Sequence, residues 1–118
     1  MTMDIGAFEA REIVLECPND QAIFCSSQLR CLAPYKCTYG FDVIEYIGKE
    51  LFVHCRNERE IRKALGSRNI FVSEREIGYL GKKFVVYLAL AHAESREKLV
   101  QSMKKRGGYI LHVDGTCE

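Results

Sequence analysis

Three times in this chain a capping residue is followed, three positions on, by a glutamate and then by apolar residues at helical spacing: Asp42 with Glu45, Asn57 with Glu60, and Ser73 with Glu76. In this pattern the cap side chain accepts from a backbone N–H of the first turn, and the glutamate accepts from the N–H of the cap. Two of the orphan donors at a helix start are thereby satisfied locally. The spacing predicts a helix over 42–54, with Val43, Ile44, Ile47 and Leu51 on one face. It predicts a second from Asn57, with Ile61, Ala64 and Leu65 as its stripe and Gly66 as its stop. A third opens at Ser73 and carries Ile77, Leu80, Phe84, Tyr87 or Leu88, and Ala91. It is expected to reach about His92 and there either to continue or to break near Ala93-Glu94-Ser95; residues 95–106, with Leu99 and Met103 four apart and a basic end, read as another helix.

Outside this helical text the signals are weaker. Glu12–Glu16 reads as a short strand and Pro18-Asn19-Asp20 as a turn. Tyr109–Asp114, after the punctuation of Gly107-Gly108, reads as a strand from its β-branched and aromatic residues. The expected fold is therefore mainly α, a helix-turn-helix bundle with a poorly ordered Cys-containing N-terminal segment and a single C-terminal β-strand. With 47% hydrophobic residues, 28% charged residues and two prolines, neither disorder nor a fibrous repeat fits. No apolar run reaches the ~18 residues of a membrane span, and no secretory signal opens the chain, so a cytoplasmic location is expected. In that reducing compartment the six cysteines are thiols or metal ligands rather than disulfides.

The formal charge of +1 hides an asymmetry. Residues 1–45 hold three basic and seven acidic side chains, net −4, so the remainder carries +5. Residues 56–83 alone hold eight basic against four acidic groups. A polyanion is expected to meet the second half of the chain.

Three constellations carry chemistry. The short helix, the turn with Ile70 and Val72, and the capped helix after it have the layout of a helix-turn-helix, whose second helix enters the major groove by its N-terminal residues. With Ile77, Leu80 and Phe84 turned inward, Arg75 is placed to pair with guanine, Tyr79 to reach a phosphate or a thymine methyl, and Lys82 and Lys83 to neutralise phosphates. Ser73 opens that helix, and Arg59, Arg62, Lys63 and Arg68 add a second line of backbone contacts. The alternative is a helical hairpin with a solvated charged face, since Glu58, Glu60, Glu74 and Glu76 dilute the patch. Second, Asp114 closes the terminal strand, where it either serves a two-metal carboxylate site or merely starts the turn Asp114-Gly115-Thr116. Third, Cys17, Cys25, Cys31 and Cys37 supply four thiols that either hold zinc (Zn) or are simply buried. Their gaps of seven, five and five residues lack a Cys-x-x-Cys knuckle. His54, His92 and His112 read as ordinary helix and strand residues.

Taken together, Arg56-Asn-Glu-Arg-Glu-Ile-Arg-Lys-Ala-Leu65, Ile70-Phe-Val-Ser-Glu-Arg-Glu-Ile77, Leu80-Gly-Lys-Lys-Phe-Val-Val-Tyr-Leu88 and Gly107-Gly-Tyr-Ile-Leu-His-Val-Asp-Gly-Thr-Cys-Glu118 resemble the N-terminal part of a DDE-type insertion-sequence transposase. The resemblance holds from about Phe41 onward. It implies a DNA-binding helix-turn-helix over 41–92, a basic connecting helix over 93–106, and over 107–118 the first strand of a ribonuclease-H-like catalytic domain with Asp114 as its first carboxylate. In relatives the early cysteines can belong to a small zinc-binding element, which makes those of residues 1–40 candidates for one, and a divalent metal, Mg, serves the full-length relatives. Double-stranded DNA of a transposon end is the implied partner, with a homodimer as a further expectation and no membrane. Because two more carboxylates are needed for strand transfer, the chain is expected to be a truncated transposase, inactive in catalysis by itself. A free-standing helix-turn-helix transcriptional regulator and a small zinc-containing interaction protein are the alternatives.

Overall fold

A computed structural model describes residues 1–108. The expected strand over Tyr109–Asp114, with Asp114 and His112, lies outside the described residues. In chain order the elements are β1 (Leu15–Glu16), β2 (Ile23–Phe24), α1 (Ser27–Leu32), α2 (Phe41–Phe52), α3 (Glu58–Gly66) and α4 (Glu74–Lys105). The chain divides into two compact units, Met1–Val85 and Val86–Glu118. The fold is mainly helical, with one small antiparallel ladder in which Leu15 pairs with Phe24 and Glu16 with Ile23.

The core of the first unit comes from the three helices that the capping pattern marks. Val43, Ile44 and Ile47 of α2, Ile61 and Leu65 of α3, and Ile77 and Leu80 of α4 are buried, and Ile70 and Val72 join them from the connection between α3 and α4. These recur at i, i+3, i+4 spacing, so each helix presents one apolar stripe, and burying those stripes against one another supplies the main driving force. Close approach of α2 to α4 depends on two glycines. A Cβ on Gly48 would lie 2.1 Å from Phe84 Cγ, and one on Gly81 would lie 2.6 Å from Leu51 Cδ1. Phe84 in turn stacks on Phe52, with ring centroids 6.3 Å apart.

Four expectations need correction. First, residues 1–40, expected to be poorly ordered apart from a strand over Glu12–Glu16, hold β1, β2 and α1, and their first residues bond to α2 and to the α3–α4 connection. Met3 N donates to Asp42 Oδ2 at 2.7 Å and Ala7 N to Asn69 O at 3.2 Å. Second, Asp42 and Glu45 form no capping box. The helix starts one residue earlier, at Phe41, with Gly40 as its N-cap. Gly40 is held by Met1 O, which accepts its N–H at 2.8 Å, so the chain enters the helix there and Asp42 falls in the first turn. Glu45 pairs with Lys49 at 2.6 Å instead. Third, α2 ends at Phe52 rather than near residue 54. Fourth, α4 does not break at 93–95. Ala89, Ala91 and Ala93 are the best helix formers, and nothing in Glu94-Ser95 removes a backbone donor, so the helix runs on to Lys105. It stops where expected, at Gly107 and Gly108. Their φ values are +80° and +101°, and Gly108 N donates back to Met103 O at 3.0 Å.

Candidate nucleic-acid interface

The expected capping boxes of α3 and α4 are both present. Asn57 Oδ1 accepts from Glu60 N at 2.9 Å while Glu60 Oε2 accepts from Asn57 N. At α4, Ser73 Oγ accepts from Glu76 N at 3.2 Å, and Glu76 Oε2 accepts from both the N–H and the hydroxyl of Ser73, each at 2.9 Å. These donors hold the Glu76 carboxyl below its ordinary range. The Ser73 hydroxyl is thus occupied by the cap. Seven residues, 67–73, join the two helices, more than the three or four of the compact helix-turn-helix connection.

That connection is pinned at both ends and in the middle. Arg68 N and Ile70 N donate to Leu65 O and Ser67 Oγ donates to Ala64 O, closing the end of α3. In the middle, the Tyr39 hydroxyl donates to Phe71 O at 3.0 Å. Burial, with the nearby Glu76 charge adding to it, pushes the Tyr39 phenol up to about 12. A salt bridge from Arg62 Nη1 to Glu74 Oε1, at 3.6 Å, ties α3 to the first turn of α4.

The structure sorts the nine binding candidates. Arg75, Tyr79 and Lys82 are exposed on the side of α4 opposite Ile77 and Leu80. Lys83 is half-buried and lies over the Tyr79 ring, 5.1 Å from its centroid. On α3, Arg59 and Lys63 lie four apart, exposed and opposite Ile61 and Leu65. Arg62 is on the flank facing Glu74, and Arg68 is turned toward α2, its guanidinium 5.9 Å from the Tyr46 ring centroid. The structure therefore brings out two cationic stripes, Arg59/Lys63 and Arg75/Lys82. The two carboxylates at the head of α4 are both engaged locally, Glu76 in the cap and Glu74 with Arg62.

The cysteine set behaves differently. Cys17, Cys25 and Cys37 are half-buried and Cys31 is exposed, all as free thiols. Among the described residues no three His, Cys, Asp or Glu side chains are gathered as metal ligands. Nor is any described helix long and apolar enough to cross a membrane.

Sequence reasoning passed over two features. Glu50, 7% exposed, sets Oε1 2.8 Å from His54 Nδ1 and Oε2 2.8 Å from Arg56 Nη1. The second is a charge contact without an aligned hydrogen bond. Arg56 N also donates to the backbone carbonyl of Glu50, so Glu50 fixes the bend from α2 into α3 through both its carboxylate and its main chain. The four-residue spacing of Glu50 and His54 was a visible signal; the return of Arg56 was not. The other is Phe71, exposed between two buried neighbours, which the alternation Ile70-Phe71-Val72 would have marked. Comparison with protein-family models, with curated proteins and with solved structures finds nothing that matches this chain.

Proposed function

We propose that residues 58–83 bind double-stranded DNA and that the chain is the DNA-recognition part of a DDE-type transposase, engaging a transposon end. The observation that carries this reading is the outward stripe Arg75–Tyr79–Lys82 on the first turns of α4, set opposite a buried stripe and behind a fixed cap. A helix whose N-terminal turns are so held presents its side chains to the major groove in one register. Arg75 then donates to guanine O6 and N7, while Lys82, with Arg59 and Lys63 from α3, neutralises phosphates.

The test is binding of labelled duplexes, followed by fluorescence anisotropy at stepped salt. The three cations assigned to phosphates set a log–log slope of about −2.7, or about a forty-fold loss between 50 and 200 mM salt. Arg75→Ala should relax preference at one base position by about 1–3 kcal/mol, whereas Lys82→Ala should weaken all sequences alike and reduce the slope by about 1. Binding that is absent or insensitive to salt rejects DNA recognition. Equal effects of the two variants on every sequence reject the assignment of α4.

A further inference from the structure

Phe71 stands at an unusual place. Its neighbours Ile70 and Val72 are 0% and 7% exposed, yet the Phe71 ring is 64% exposed. The alternation is that of an extended segment whose two flanking side chains are anchored in the core. The Phe71 carbonyl is itself held by the Tyr39 hydroxyl at 3.0 Å. The backbone at this residue is thus held on both sides, and a large apolar ring is carried outward three residues before α4 begins at Glu74. It lines, with Arg62, Gly66, Ile70, Val72 and Ser73, an open hollow of about 350 Å³.

The chemistry of that hollow is mixed: an apolar ring beside the Arg62 guanidinium, itself paired with Glu74, with the exposed cations Lys63 and Arg75 on adjoining turns. Positive charge around an apolar contact complements a nucleic acid better than an apolar protein surface, because the phosphates answer the cations. In a duplex the bases are stacked, and the apolar group that projects into the major groove is the thymine 5-methyl. We propose that Phe71 reads a thymine methyl at the lip of the major groove, beside the bases faced by the first turn of α4. This rests on the DNA-binding reading above, and adds an uncharged specificity residue to it.

The experiment uses the whole chain. A preferred duplex is selected from a random pool, and each thymine in it is then replaced by deoxyuridine, which removes only the methyl. At one position this should lower wild-type affinity about three- to five-fold, the worth of one buried methyl group. Phe71→Ala should lose the same factor on the thymine duplex, show no response to deoxyuridine there, and keep the salt slope of the wild type. Phe71→Leu should retain part of the methyl preference. Far-UV circular dichroism and thermal unfolding check that both variants fold, as is expected for an exposed side chain. A wild type indifferent to deoxyuridine at every position, or a Phe71→Ala protein that keeps the methyl preference, overturns the role of Phe71 while DNA binding stands. Failure to bind any duplex overturns both.

Discussion

An alanine at Gly48 tests whether α2 and α4 meet as closely as described. In a helix interior, Gly→Ala is worth about 0.8–1 kcal/mol of stabilisation. At Gly48 the new methyl would sit 2.1, 2.3 and 2.5 Å from Phe84 Cγ, Cδ1 and Cδ2. Carbon atoms prefer about 3.5–4.0 Å, so the ring must move by more than an ångström. It cannot move freely, because it is stacked on Phe52. Overpacking of this kind costs about 1–3 kcal/mol, so Gly48→Ala should be net destabilising by up to about 2 kcal/mol. In a Phe84→Ala background the obstacle is gone and the same change should stabilise by about 1 kcal/mol. The coupling between the two positions is then about 1–3 kcal/mol. Gly78, in α4, is the control: nothing lies within 4 Å of its would-be Cβ, so Gly78→Ala should stabilise by about 0.8–1 kcal/mol in either background. Urea unfolding followed by far-UV circular dichroism measures all of these. A Gly48→Ala protein more stable than wild type, or one whose effect is the same with and without the Phe84 ring, would refute the close packing.

Two further outcomes concern the connection before α4. Tyr39→Phe leaves Phe71 O without its donor and should cost about 1 kcal/mol at neutral pH. Because the Tyr39 phenol is raised in the fold, to about 12, its contribution is fully present below its ordinary value of about 10 and is lost as pH climbs toward 12. Wild type should therefore show an alkaline loss of stability that Tyr39→Phe lacks, measured as urea midpoints at stepped pH. Glu76 is shifted the other way, held down by the Ser73 N–H and hydroxyl, so its contribution is present above the ordinary carboxylate range and fades as pH falls through it. Glu76→Gln should flatten that acid limb, and Ser73→Ala should cost about 1 kcal/mol at neutral pH; an unchanged acid limb in Glu76→Gln would deny the cap its charge.

The helices of the candidate interface were legible because their signals are short-range. Asn57 with Glu60 and Ser73 with Glu76 act across three residues, and the stripes Ile61/Leu65 and Ile77/Leu80 repeat every three or four, so both can be read from a short window. The same window misplaced the start of α2, where Asp42 and Glu45 have the form of a box but Gly40 is the cap. What displaced it was a contact from Met1, thirty-nine residues away in sequence. Among the site candidates, the types and exposure of Arg59, Lys63, Arg75, Tyr79 and Lys82 followed from helical phase. The engagement of Arg62, Arg68 and Lys83 with Glu74, Tyr46 and Tyr79 did not.

By itself the sequence determined where α3 and α4 begin, which of their faces is apolar and that their outward faces are cationic, since caps and periodicity are interactions of a residue with its near neighbours. Only the tertiary structure decided that residues 1–7 bind the start of α2 and the α3–α4 connection, that Tyr39 grips Phe71, and that Glu50 is buried with His54 and Arg56. Except for the four-residue spacing of Glu50 and His54, these contacts follow no repeat. They join groups brought together by burial of the helix stripes, where a polar group taken out of water must find whichever partner the packing sets beside it.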